Sequence, residues 1–290
     1  MQIHYAASGA PSAGALVVLA AKGAPLAGAV AALDVATGGQ LARAVAVARF
    51  EGDVASIVEL LAPAHAASRI LIVGVGAANE ADAGAFEKIG GAIVARLLTS
   101  GEASVTIDLT GLDGMAVSLA VAAARLAHGA TLRAYRFDKY RTTMKPAQAS
   151  TLTSLTIVGA EVVDDAHLTA LAAGVALTRD LVSEPANIIY PESFVERVQA
   201  AAPEGLIVEV FGEQEMSRLG MGALLGVSQG SEREAKVLTM RWMGGDDGAT
   251  PVVLVGKQFF YNNSHKWNCS TTKYWRKIYK LWCWAECAQL

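Results

Sequence analysis

The run Val252-Val253-Leu254-Val255-Gly256-Lys257 delivers a lysine to the end of a buried-strand pattern. In open α/β sheets ligands gather at the carboxyl ends of strands. A lysine there binds an anion; desolvated and neutral, it ligates a metal or acts as a base. An ordinary surface lysine after a strand fits the same pattern. Three further segments are candidates for a site. Leu219-Gly220-Met221-Gly222 and the residues on to Ser231 space glycines closely enough to line a pocket or let backbones approach. Arg179 to Pro191 ends one helix, turns at Pro185 and opens another at Pro191, with Asn187 able to bond its own backbone in the turn. Tyr135-Arg136-Phe137-Asp138-Lys139-Tyr140 alternates rings with charges and reads either as a binding segment or as a half-buried strand or turn.

Gly74-Val75-Gly76 follows a strand as a dinucleotide fingerprint would, but Asn79 stands where that pattern needs a third glycine. A glycine-rich strand-to-helix turn is the plainer reading. Cys269, Cys283, Cys287 and His265 hold enough ligand types for one zinc, though their spacing matches no zinc pattern. Lys273, Arg276, Lys277 and Lys280 interleave with Tyr274, Trp275, Tyr279, Trp282 and Trp284, as in a single-strand nucleic-acid binder.

These last residues belong to a stretch unlike the rest. Residues 258–290 contain all 3 cysteines but no glycine, and Glu286 is their single acid. The preceding chain is rich in Ala, Gly and Val. Lys, Asn, Tyr and Phe come from AT-rich codons, Ala and Gly from GC-rich ones. A frame change or truncation that appended unrelated sequence explains the switch and predicts a poorly ordered basic, aromatic tail.

The elements that must position these residues alternate. Strands are expected at Ala15–Ala20, Arg69–Val75, Val105–Leu109, Ser154–Val158, Leu206–Phe211, Lys236–Trp242 and Pro251–Val255. Helices are expected at Asp82–Leu98 with Asp82 as N-cap, at Asp113–His128 closed by Gly129, at His167–Leu181, at Pro191–Ala201 and at Glu213–Leu225. The alternation predicts a mainly parallel sheet covered on both faces. Lys145-Pro146 and the acidic Glu161–Asp165 bracket a boundary. The expected division is 1–155, an N-terminal α/β domain; 156–257, a linker helix and the start of a second α/β domain; and 258–290, the tail.

The hydrophobic share is 53% and the formal net charge is -3, which selects for neither nucleic acid nor acidic lipid. No apolar run reaches the roughly 18 residues of a membrane span, and Met1–Ala10 lacks signal-peptide features. A cytoplasmic protein is expected.

In order, AYRFDKY, TRDLVSEPANIIYPESF, LGMGALLGVSQGS and VVLVGK resemble the bacterial leucyl aminopeptidases. The likeness covers roughly residues 1–257 and strengthens from Ala134; Ser183 stands where that family commonly has Asn. The resemblance implies a macro-domain-like N-terminal α/β module and an α/β catalytic domain, here incomplete. It implies a homohexamer acting on peptides with two metal ions, Mn²⁺ or Zn²⁺, which bind the free amine, polarise the carbonyl and activate water. It also assigns Lys257 as the first metal ligand. In the family a glycine and a TFDSGG-like run follow, then the carboxylate ligands and the catalytic Arg. This chain reads Gln258-Phe259-Phe260-Tyr261 instead, and no Asp occurs after Lys257. No catalytic residue is therefore assigned, and the chain is expected to lack a binuclear centre and activity. The alternatives are a non-catalytic assembly or nucleic-acid-binding module built on the first domain.

Overall fold

The computed structural model describes residues 1–8, 14–160, 164–246, 248 and 250–256. The chain divides into two compact units, Met1–Asp180 and a second from Leu181.

The first unit is built on strands of two kinds. β2 (Ala15–Ala21) and β4 (Arg69–Gly76) are continuous apolar runs. Such runs fit a parallel strand buried on both sides. Ala15, Val17 and Leu19 join one core, while Leu16, Val18 and Ala20 join another on the opposite face. β5 (Ser104–Asp108) and β6 (Ser154–Val158) alternate, S-V-T-I-D and S-L-T-I-V. Only Val105, Ile107, Leu155 and Ile157 enter the first core. With β1 (Gln2–Ala6) and β3 (Ile57–Leu61) these form a six-stranded sheet ordered β1-β6-β5-β2-β4-β3, parallel except for β3 against β4.

One face is packed by α3 (Ala83–Leu97) and α4 (Leu119–Ala134), which bury Phe86, Ile89, Ile93, Leu97 and Leu126. The Asp82 carboxylate caps α3 by accepting from the Ala85 amide at 2.8 Å, as expected. On the other face α1 (Gly28–Ala36) and α2 (Gln40–Ala48) bring Val30, Leu41 and Val45 onto β2, β4 and β3. Among the described residues of this unit no helix covers that face of β5, β6 and β1, and Thr106, Asp108, Ser154 and Thr156 are only half-buried there. The expected two-sided cover is therefore realised over half of the sheet. The reason is visible in the alternating strands, whose second side is mostly polar, with buried Val158 as the exception.

Two helices depart from expectation. α4 does not stop at Gly129; it runs to Ala134, because Gly129 is where the backbone of α3 passes. α4 also starts later than Asp113, at the cap Ser118, whose hydroxyl accepts from the Val121 amide. The helix expected over Glu213–Leu225 is broken into α7 (Glu213–Arg218) and α8 (Gly222–Ser228). Gly220, at φ +72°, takes the left-handed turn that separates them.

β6 pairs with both β1 and β5, so the boundary expected at 155 falls inside a strand of the first sheet. α5 (Ala166–Ser183) follows, and most of it belongs to the first unit. The second unit holds α6 (Pro191–Ala201), α7, α8 and the antiparallel pair β7 (Leu206–Phe211) and β8 (Val237–Trp242). Its buried side chains include Ile189, Val195 and Met216. Pro251–Val255, expected as a strand, has no regular structure, and Val252 and Leu254 are 90% and 93% exposed. An apolar run becomes a strand only where an edge takes up its backbone hydrogen bonds. Among the described residues no strand pairs with it.

Candidate functional site

The ring-and-charge segment closes α4 rather than forming a strand. The Tyr135 hydroxyl donates to Asp180 Oδ1 at 2.8 Å, and the Arg179 guanidinium lies 5.4 Å from the Tyr135 ring centre. Arg179 also donates to the Leu132 carbonyl at 2.7 Å, satisfying an acceptor that the last turn of α4 leaves open. Two candidate segments thus meet on the first unit. Within the rest of the ring-and-charge segment, Arg136 pairs with Asp138 at 3.2 Å, and Lys139 lies 5.4 Å and 4.9 Å from the ring centres of Phe137 and Tyr140.

Higher on α5, buried His128 of α4 meets the Leu168 carbonyl through Nδ1 at 3.1 Å, so that nitrogen carries the proton. Before α5, the Tyr5 hydroxyl donates to Asp165 at 2.6 Å. Burial, and then the hydrogen bond and charge of Asp165, push the Tyr5 phenol above its ordinary range. None of these contacts is visible in the sequence. His128 and Tyr5 are isolated side chains whose partners lie 40 and 160 residues away.

In the second unit the corner after α5 is held from inside. Ile188 and Ile189 amides donate to the Pro185 carbonyl at 2.8 and 3.0 Å. The Glu184 side chain is fully buried and receives Arg197 Nη1 of α6 at 2.6 Å. The Ser193 hydroxyl accepts from the Tyr190 amide at 3.0 Å and donates to the Ile188 carbonyl at 2.9 Å. The Arg233 guanidinium stacks 4.1 Å from the Tyr190 ring centre. Asn187 is exposed. The segment is a rigid corner, and its buried acid, Glu184, is a residue that sequence pattern alone does not mark.

The glycines take different roles from those expected. Gly222, Gly226 and Gly230 have open space where a Cβ would stand, so no close approach occurs there among the described residues. Gly74 and Gly76 do need their size: a Cβ on Gly74 would run into the Gly52–Asp53 backbone, and Gly76 sits at φ +80° beside Val54. The Ala55 amide donates to the Gly74 carbonyl at 2.9 Å, so residues 52–56 pack directly against this turn.

Lys257, the one assigned metal ligand, lies outside the described residues, as do Cys269, Cys283, Cys287 and the aromatic tail. Gly256 immediately before Lys257 is exposed. Among the described residues no group of three or more His, Cys, Asp or Glu side chains is placed to hold a metal ion. Among them, too, no single helix is long and apolar enough to cross a membrane.

Comparison with known proteins gives these segments a common origin. Residues 17–144 match the N-terminal domain of the cytosol aminopeptidase family, and residues 176–263 match its catalytic domain. The catalytic-domain match thus continues six residues past Lys257. A probable cytosol aminopeptidase of Caulobacter vibrioides is 42% identical over 254 residues, covering 86% of this chain and 50% of that protein. One from Chelativorans is 37% identical over 261 residues, covering 88% and 52%. Among solved structures, a mutant tomato leucine aminopeptidase shares the fold with a TM-score of 0.68 at 21% identity, covering 84% of this chain and 52% of that one. The bottromycin maturation enzyme BotP, in complex with Mn, aligns with a TM-score of 0.59 at 24% identity, covering 78% and 44%. The chain spans about half the length of the curated relatives it matches. It belongs to the cytosol aminopeptidase family, with the family's N-terminal domain followed by the first part of its catalytic domain.

Proposed function

We propose that the chain descends from a two-metal leucyl aminopeptidase, acting in the cytoplasm on peptide N-termini as a hexamer, and that its 290 residues do not themselves form a working metal centre. One observation carries the second half of this reading. Lys257 is the single position that matches a ligand of the family's metal motif, and the 33 residues after it contain one carboxylate side chain, Glu286. Two divalent ions with amine, water and carbonyl to organise require several hard oxygen donors. Mn²⁺, named for BotP, and Zn²⁺ are the ions to offer. The break in composition after Lys257 supports reading 258–290 as appended sequence.

Leucine p-nitroanilide turnover by the purified chain with saturating Mn²⁺ or Zn²⁺ is the direct test. The expected result is none above background. Turnover that disappears in Lys257→Ala overturns the inactivity. A TFDSGG-like run in another frame of the genomic DNA beyond the Lys257 codon is the observation that would settle a frame change as the origin of the tail.

A second reading is a non-catalytic module assembled on the first unit. It is favoured by the core that this unit builds without the residues after Asp180. Co-elution with an intact family member supports it. Salt-sensitive DNA binding by the full chain supports instead a nucleic-acid role for the basic tail.

A further inference from the structure

In the second unit a sheet face and a strand-like run both lack a partner among the described residues. β7 and β8 pair with each other and with no further strand there. Residues directly opposed in an antiparallel pair share a face. The register therefore puts Leu206 with Trp242, Val208 with Met240 and Val210 with Leu238 on one side, which is apolar throughout. The other side carries Glu209, which accepts from Arg241 at 3.0 Å and from Thr239 at 3.3 Å. α7 packs against β7. At the end of β8, by contrast, Met240, Arg241 and Trp242 are exposed in succession, on both faces, so this end of the strand is uncovered among the described residues.

Pro251–Gly256 is the complementary piece. Val252 to Val255 are strand formers, yet they have no regular structure and stay unpaired within their own copy. Apolar at every position, they present an apolar row whichever way their alternation falls. Each copy of the chain thus holds a strand without an edge and an edge without a strand. Met240, Trp242, Met243 and Val252 to Val255 are all more than half exposed. Burying them would supply most of the roughly 800 Å² per partner that a stable interface covers. An open edge of this kind is a template for a second chain.

We propose that two copies of the chain exchange these strands, Val252 to Val255 of each adding to the β8 edge of the other and extending the apolar face of Val208, Met240 and Trp242. The exchange is reciprocal, so assembly closes at a dimer. It involves the second unit and is independent of any aminopeptidase reaction.

Sedimentation velocity of the full chain tests this, under reducing conditions that keep Cys269, Cys283 and Cys287 from cross-linking copies. The chain is expected to pass from monomer to dimer with a Kd on the order of 10 μM. Leu254→Lys puts a charge in the added strand. Val252→Pro with Val253→Pro removes a ladder donor whichever alternation holds. These positions are already exposed, and each variant is expected to weaken dimerisation at least about tenfold. Trp275→Ser, Trp282→Ser and Trp284→Ser together are expected to leave the dimer intact, which separates strand exchange from adhesion by the aromatic tail. In hydrogen exchange the amides of Val252 to Val255 are expected to gain protection as the concentration rises. A chain that remains monomeric up to about 100 μM overturns the proposal. So does association that survives both strand variants, that is lost in the tail variant, or that leaves those amides unprotected.

Discussion

Gly90 in α3 and Gly129 in α4 face one another's helix backbone: a Cβ on Gly90 would lie 2.9 Å from the Leu126 carbonyl carbon, and one on Gly129 would lie 2.8 Å from that of Glu87. The pairing is reciprocal, since each glycine sits three residues from the carbonyl that its partner approaches. Adding a methyl forces the helices apart at the centre of the first core. Gly90→Ala and Gly129→Ala are each expected to lower stability by about 1–3 kcal/mol despite the better helix propensity of Ala. Because they relieve the same crossing, the double variant should lose less than the sum. Urea unfolding of the three variants measures this.

Gly226 offers the opposite test. It lies inside α8, and nothing stands within 4 Å of the point that a Cβ would occupy. Gly226→Ala is expected to stabilise the second unit by roughly 0.5–1 kcal/mol through backbone entropy alone. A loss in thermal unfolding would mean that the space is used.

The buried Glu184 makes the second unit vulnerable at one ion pair. Arg197→Leu removes the 2.6 Å partner of this buried carboxylate and is expected to cost about 1–3 kcal/mol. Glu184→Gln, which keeps an acceptor for Arg197 and removes the charge, should cost less. Comparison of the two by chemical denaturation separates loss of the Arg197 side chain from loss of the Glu184 charge.

Tyr5 gives the first unit an alkaline limit. Its phenol pKa is raised in the folded chain, so the folded state holds the proton more tightly than the unfolded one. The associated stability is complete below the unfolded value of about 10 and declines as pH rises above it. Tyr5→Phe should cost about 1 kcal/mol at neutral pH and flatten the loss of stability above about pH 10. Thermal melts across pH 8 to 11 (about the range that brackets the ordinary phenol) would refute this if both chains fell in parallel.

Much of this architecture is written in the strands. The continuous runs of β2 and β4 and the polar–apolar alternation of β5 and β6 already specify which strands are buried on two sides and which on one. Less accessible is which helix lies over which strand, so the open half-face emerges only from the structure. α1 and α2 leave little trace in the sequence because they are short and Ala-rich, and Ala27 and Gly39 at their starts give no side-chain cap. Gly129 reads as a stop because a glycine at a helix end and a glycine at a helix crossing look alike in one dimension. At the candidate site, the type and order of the motifs reveal ancestry. Their actual work in the described residues, as joints between Tyr135 and Asp180 or Tyr190 and Arg233, depends on partners that no local pattern encodes.

The grip of α4 on α5 bears on how such a protein can be recombined. The family's catalytic-domain match begins at residue 176, yet Arg179 and Asp180 serve the first unit by holding Leu132 and Tyr135. A crossover at residue 176 would hand those two side chains to a foreign sequence and remove the Asp180 acceptor of Tyr135 and the Arg179 donor to the Leu132 carbonyl. Exchange of the N-terminal module as a working part therefore has to carry α5 with it at least through Asp180, four residues past the start of the catalytic-domain match.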